Sequence, residues 1–322
     1  MRSPDVSLVF EPIRAGLVTR LQESGVSASD FLASLELVIV ENADVVQMQN
    51  WQHVQTVFRA CNTLPKDSHG VDVMRVRETH LEGLAKHHRQ TVVLASRASA
   101  EINALSRDCA NVAGRARWRR SYAGVLGAAA ASVRVAGGLR QQFERLPDVA
   151  VADADDARFK HFARRVLPRL RENPQPGSLV FVPEYFDFVR VRNLLTAEDV
   201  SFCVTSEYTP PRDAARARSL FVDGRKRVLL VTERAHFYHR RRIRGVREVH
   251  FYGVPECAEY YAEMLGFLGA EEAQGGGARV AAPTSTVVFS RLDALRLERV
   301  AGSARAKKML APDANSTFVF VA

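Results

Sequence analysis

Leu37-Val38-Ile39-Val40-Glu41-Asn42-Ala43-Asp44 is the stretch on which the reading of the fold turns. Consecutive aliphatic residues without polar alternation predict a strand covered on both faces, as in a parallel sheet. The run stops at Glu41, so the carboxylates of Glu41 and Asp44 fall where such a strand opens into its following loop. Carboxylates in that place hold magnesium and position water in phosphoryl-transfer sites. Asn42 is an amide, which takes up no proton at neutral pH, and so it is excluded as a general base. Taken alone, the tetrad Glu41, Asn42, Ala43, Asp44 suits an acidic strand-to-loop junction equally well.

Working outward, similar short apolar runs occur at Val6–Phe10, Leu35–Val40, Thr91–Leu94, Leu179–Val182, Val228–Thr232, Val246–Tyr252, Val287–Phe289 and Thr317–Val321. Between them, apolar residues spaced three and four apart predict helices over Ala100–Cys109, Arg158–Leu170, Phe186–Leu195, Ala214–Phe221 and Ala258–Leu268. Strand and helix in alternation give an α/β fold with parallel sheets. A chain of 322 residues is long enough for two domains. The small residues and the acidic run between Gly114 and Ala157 suggest the break, and Gly275–Gly277 suggests a loop in the later half. The expected organisation is a first domain over 1–120, a linker over 121–157 and a second domain over 158–322.

Hydrophobic residues at 47% and charged residues at 25% are ordinary for a globular chain and exclude wholesale disorder. The uncharged stretch Ser121–Val133 falls short of the ~20 residues that a membrane-spanning helix needs, so no membrane partner is expected. Cys61, Cys109, Cys203 and Cys257 are scattered without a C-x-x-C pair, which argues against a zinc ribbon or a disulfide framework and for a reducing compartment.

Charge is concentrated. Arg212 to Arg247 holds twelve basic residues against three acidic ones, an excess equal to the +9 of the whole chain. Like charges at that density suit a phosphate backbone, with a solvated surface as the plain alternative. The candidate RNA-binding residues are Arg212, Arg216, Arg218, Arg234, Arg240, Arg241, Arg242 and Arg244. His236-Phe237-Tyr238-His239 precedes the last four of these at Arg240, and its rings are either base platforms or core residues at a strand end. His236 and His239, at i and i+3, have no cysteine or carboxylate partner positioned to complete a site, so no metal site is expected. Trp51, Tyr185 and Phe186 are candidate partner-binding residues, each with a packing role as the alternative.

The segment order resembles a two-lobed RNA helicase. Glu41-Asn42-Ala43-Asp44 resembles the D-E-A-D box, Asp5–Arg14 the strand ending in T-P-G-R, and Arg89–Arg97 the strand ending in S-A-T. Leu179–Pro183, Val228–Thr232 and Val249–Pro255 resemble strands of the second lobe. Within these 322 residues no G-x-x-x-x-G-K-[ST] occurs. In the resemblance Phe267 and Ala270 take the places of the two arginines of the closing helicase motif.

Many blocks together resemble the digestive organ expansion factor family, the U three small nucleolar RNA-associated, helicase-like components of the small-subunit processome. They are Met48-Gln49-Asn50-Trp51, Asp67–Asp72, Arg75-Val76-Arg77, Asp156-Ala157-Arg158-Phe159, Pro183 with Tyr185–Arg190, Glu207-Tyr208-Thr209, Arg216-Ala217-Arg218, Thr232-Glu233-Arg234 and Tyr260-Tyr261. The resemblance implies two RecA-like lobes with parallel sheets, the first incomplete at its N-terminus. It implies a nucleolar, non-catalytic pseudo-helicase without a cofactor. Its partners would be precursor rRNA, the U three snoRNA particle and processome proteins, the last through acidic segments. Two other readings stand beside it: an RNA-dependent ATPase whose nucleotide site another chain completes, and a protein-interaction module without RNA contact.

Overall fold

The computed structural model describes residues 30, 32–47, 50–65, 70, 72–109, 111–133, 138–268, 283–312 and 316–321. The expected strand Val6–Phe10, the glycine run Gly275–Gly277, and Met48, Gln49 and Ala270 lie outside them. The chain divides into two compact units, with Arg119 ending the first and Arg120 beginning the second.

In the first unit the order is β1 (Leu37–Val40), α1 (Ala43–Gln47), α2 (Trp51–Ala60), α3 (Glu78–Leu81), α4 (Ala85–His88), β2 (Gln90–Val93) and α5 (Ala100–Asp108). β1 and β2 pair in parallel, Leu37 opposite Gln90 and Val40 opposite Val93, and the helices between them form the crossover that parallel neighbours require. Val38 and Val40 are buried with Leu32, Val57 and Ile102. Leu37 and Ile39 remain 47% and 41% exposed, so β1 is covered on one face and not on both. The α2 helix starts cleanly because the Asn50 side chain accepts the Gln52 N–H.

The second unit runs α6 (Leu126–Ser132), β3 (Arg140–Arg145), α7 (Ala154–His161), α8 (Leu167–Glu172), β4 (Ser178–Val182), α9 (Tyr185–Ala197), β5 (Phe202–Thr205), α10 (Pro211–Val222), β6 (Val228–Thr232), α11 (Glu233–His239), β7 (Glu248–Phe251), α12 (Ala258–Leu265), β8 (Thr284–Phe289), α13 (Ala294–Ala301), α14 (Ser303–Met309) and β9 (Thr317–Val321). One π-helical turn, Phe162–Val166, joins α7 to α8. Seven strands form one sheet in the order β5-β6-β4-β7-β8-β3-β9. All pairs are parallel except β3 with β9.

Strand period two sorts the core into layers. Leu179, Phe181, Leu229, Val231, Val249, Phe251, Val287 and Phe289 pack with α6, α12, α13 and α14 on one face. Val180, Val182, Val228 and Leu230 pack with the π turn, α8 and α9 on the other. Helices thus cover both faces of the sheet, which is why β4 and β6 are uniformly apolar and wholly buried.

Residues 121–157 are not a linker. They supply α6, whose Leu126 and Ala129 are buried, and β3, which lies between β8 and β9. The strand eluded an apolar-run reading because it spells Arg-Gln-Gln-Phe-Glu-Arg. Its Gln141 is fully buried, accepting from the Tyr261 hydroxyl at 2.9 Å and donating to the Leu126 carbonyl at 3.3 Å. Among the described residues no helix is long and apolar enough to cross a membrane.

Candidate nucleic-acid interface

At the end of β1, Glu41 is exposed and Asn42 adopts φ 49, a left-handed turn that asparagine tolerates. That turn aims Asp44 inward, where it is 4% exposed. Its carboxylate accepts the Ser96 backbone N–H at 3.2 Å and the Ser96 hydroxyl, with the Arg97 guanidinium 3.7 Å away. The acid after β1 therefore ties down the loop after β2, a link reinforced by Ala43 N–H to the Leu94 carbonyl at 2.9 Å. Asp44→Ala strips a buried N–H of its acceptor and is expected to destabilise the chain by about 2–4 kcal/mol. A chemical-denaturation midpoint equal to wild type would remove this clamp from the account. Trp51 is half-buried and packs on both apolar clusters of the first unit, so packing occupies this indole.

In the second unit the chain runs from β4 out to β5, returns through β6 and crosses to β7. Doubly wound sheets place their functional groups at the carboxyl ends of such strands. Here those ends carry opposed charges. Arg296 reaches Glu256 at 2.6 Å and Glu184 at 3.1 Å, Arg299 reaches Glu256 at 2.8 Å, and Arg158 reaches Asp293 at 2.8 Å. Thr232 caps α11 through the Ala235 N–H and donates its hydroxyl to Glu207 at 2.7 Å.

Glu233 is buried beneath this network. Burial pushes its carboxyl up to about 7, against the N–H groups of Glu256 and Cys257, which it accepts at 3.0 and 3.1 Å. Because the folded value is raised, the stabilisation is fully present below the unfolded value near 4.5 and is lost as pH rises through about 7. The loss is on the order of 3 kcal/mol at neutral pH and above. Thermal midpoints between pH 4.5 and 8 should fall more steeply for wild type than for Glu233→Gln, and parallel curves would contradict the assignment.

His236 is also buried. Its Nε2 lies 2.6 Å from a Glu263 carboxylate oxygen, and its ring meets Tyr260 and Phe267 edge-on at 5.0 and 6.3 Å. Burial lowers its proton affinity, against the pull of Glu263. The carboxylate partner of His236 is thus supplied by α12. Phe267, 7% exposed, is a core side chain here. Among the described residues no cluster of His, Cys, Asp and Glu could hold a metal ion.

The eight candidate arginines divide by what holds them. Arg212 and Arg216 on α10, and Arg241, Arg242 and Arg244 in the loop after α11, are exposed. None of these five has an acidic partner among the described residues. Arg218 is half-buried, and its proton affinity is lowered by burial and then by the nearby charge of Arg241. Arg234 is bonded to the Tyr238 hydroxyl. Arg240, at φ 37, ends α11; its guanidinium lies 5.4 Å from the Tyr260 ring centroid and 3.9 Å from Glu263, so it braces the loop.

The second unit also exposes several rings. Phe186, Tyr208 and Tyr238 are 84%, 68% and 60% exposed, so Tyr238 is no core residue. Tyr185 and Tyr208 meet edge-on at 4.8 Å, and Phe237 and Tyr238 at 5.1 Å. Tyr238 and Tyr208 both act on the Arg234 charge, so one member of each ring pair lies near this guanidinium. Tyr208 was not singled out as a site residue from sequence, although an aromatic just after a strand end was the available signal. Exposed rings beside unpaired arginines can stack bases and bind phosphates.

A mostly parallel sheet with helices on both faces and a charged carboxyl edge defines a doubly wound α/β protein. Residues 132–320 match the family described as "Utp25, C-terminal domain" and residues 12–116 match "UTP25, NTP hydrolase-like domain". The chain belongs to the Utp25 family, as its sequence blocks implied. It is 44% identical over 299 residues to the U3 small nucleolar RNA-associated protein 25 of Leptosphaeria maculans, covering 91% of this chain and 39% of that one. It is 37% identical to the protein NUCLEOLAR FACTOR 1 of Arabidopsis thaliana, covering 89% of this chain and 36% of that one. The chain thus spans about two fifths of the length of the curated relatives it matches. A DEAD box protein from Methanococcus jannaschii aligns at 16% identity over 83% of this chain and 57% of its own, with a TM-score of 0.36.

Proposed function

We propose that this chain is a non-catalytic, helicase-like ribosome-biogenesis factor of the nucleolus, which holds precursor rRNA within the U3-containing small-subunit processome. The observation that carries this reading is the set of five exposed arginines on α10 and in the loop after α11 that have no acidic partner among the described residues, together with the exposed Phe186, Tyr208 and Tyr238 rings. It is supported by the names of the relatives and by the carboxylates that a hydrolase would need. Asp44 is engaged by Ser96 and Arg97, and the strand ends of the second unit are compensated by Arg158, Arg296 and Arg299. In this reading the first unit belongs to one RecA-like lobe and the second unit forms the other. Processome proteins bind as further partners.

A tagged chain recovered from cell extract at moderate salt should enrich U3 snoRNA and precursor rRNA together. An intact, soluble chain that enriches neither would refute the assignment. The family's NTP hydrolase-like description favours one rival, an RNA-dependent ATPase completed by another chain. RNA-stimulated turnover by the chain in its recovered assembly, lost in an Asp44→Asn variant that melts like wild type, would establish the rival, and no turnover by that assembly with RNA and magnesium would dismiss it.

A further inference from the structure

A second charged surface is built from other basic residues than those assigned to RNA. A cavity of about 450 Å³ opens between the segment after β3 and the helix that continues from α7 through the π turn. Its wall carries Lys160, His161, Arg164 and Arg165, and its floor Leu146, Pro147 and Val149.

Helical spacing makes that wall. Lys160 with Arg164 and His161 with Arg165 are four apart and share one face, which brings both arginines to the cavity beside Lys160. The helix contains a π turn here: Leu167 N–H bonds the Phe162 carbonyl, an i to i+5 link, while Phe162 and Val166 stay buried against the sheet. Isolated π turns of this kind recur at functional sites. His161 is fixed by Glu144 at 2.7 Å, and Glu144 also lies 3.8 Å from Arg169. Lys160, Arg164 and Arg165 are exposed and have no acidic partner among the described residues.

We infer that this cavity binds an anionic peptide, gripping a carboxylate or phosphate side chain with Lys160, Arg164 and Arg165 and seating its apolar neighbours on Leu146, Pro147 and Val149. The lining favours peptide over RNA on two counts. Exposed Asp153 stands at the cavity, beside an Asp156 that Arg190 holds at 2.6 Å, and its charge repels a continuous phosphate backbone, whereas a peptide presents separate charges. The floor is aliphatic, with no ring on which a base could stack. The site uses none of the arginines invoked for RNA and stands independently of that assignment.

The test is fluorescence anisotropy of the 322-residue chain with a labelled twelve-residue Asp/Glu-rich peptide, its phosphoserine counterpart and an Asn/Gln counterpart. The anionic peptides should bind and the neutral one should not, with tighter binding of the phosphoserine form assigning phosphate as the source and equal binding assigning carboxylate. Lys160→Glu, Arg164→Glu and Arg165→Glu together should weaken binding by about tenfold or more, while Arg241→Glu, Arg242→Glu and Arg244→Glu leave it intact. Equal losses in both triple variants would show general charge attraction and overturn the site. Displacement of the peptide by oligouridine in the Arg241, Arg242, Arg244 variant would assign the cavity to RNA and also overturn it. If the first triple variant melts early, Val149→Asp, at a 41% exposed position, tests the floor: unchanged peptide affinity would overturn the proposal.

Discussion

Arg241→Glu, Arg242→Glu and Arg244→Glu together should lower affinity for single-stranded RNA about a hundredfold at ~0.1 M salt and flatten its salt dependence. The three guanidinium groups sit in the loop after α11 with no acid beside them, so folding spends none of their charge. Each phosphate they neutralise releases part of a condensed counterion, and three lost contacts reduce the slope of log K against log salt by about 2. The variant also adds three repelling charges, which deepens the loss at low salt and fades as the Debye length shrinks. Arg240→Ala is the internal comparison: this side chain braces Tyr260 and Glu263, so its loss should appear in the melting midpoint more than in RNA affinity. Anisotropy titrations with a labelled oligouridine at three salt concentrations give both numbers. An unchanged slope in the triple variant would move the RNA site elsewhere.

The second large effect is structural. Gly302 stands at φ 94 and ψ 151, a region open essentially to glycine. A Cβ there would lie 2.6 Å from the Ala123 carbonyl oxygen, and one on Gly124 would lie 2.6 Å from the Gly302 nitrogen. The two glycines let the segment before α6 press onto the joint between α13 and α14. That contact is stitched by Val125 N–H to Val300 O at 2.8 Å, Ser303 N–H to Tyr122 O at 2.9 Å and Tyr122 N–H to the Ser303 hydroxyl at 2.8 Å. Gly302→Ala is therefore expected to cost about 3 kcal/mol or more, from strain plus a backbone clash that no side-chain movement relieves. Gly114→Ala is the control, since Gly114 has positive φ but nothing within 4 Å of the added carbon, and its cost should stay near ~1 kcal/mol. Equal losses in denaturant titrations would mean that the close approach contributes nothing.

Legibility in the sequence followed burial on two sides. β4 and β6 are sandwiched by helices, had to be apolar throughout and were read directly. β3 was invisible because a buried glutamine can stand in a sheet when a tyrosine hydroxyl from another helix satisfies it, and Tyr261 lies 120 residues away. β1 misled in the opposite direction, since its outward Leu37 and Ile39 are as apolar as its buried pair. Charge density located the arginine-rich surface, because net charge is a local property of the chain. It could not separate free from committed arginines: the partners of Arg240 come from α12, and the second ring pair beside Arg234 comes from the loop after β5. The π turn left no trace, as Phe162 and Val166 at i and i+4 fit an ordinary amphipathic helix.

The position of β3 in the sheet also sets a timetable for synthesis. β3 is the first of the seven strands to be made, yet its only neighbours are β8 and β9. Its residues pair with Thr284–Phe289 and Thr317–Val321. The four strands β5, β6, β4 and β7 become mutually available once Phe251 has been added. β3 must wait, with both strand edges unpaired, until β9 at Thr317–Val321 has been made. Long-range pairing of this kind folds slowly and leaves strand edges open to other chains. A chain truncated just after Phe251 should thus carry a native-like four-stranded core with β3 left unpaired ahead of it, and chaperone capture should concentrate on Arg140–Arg145.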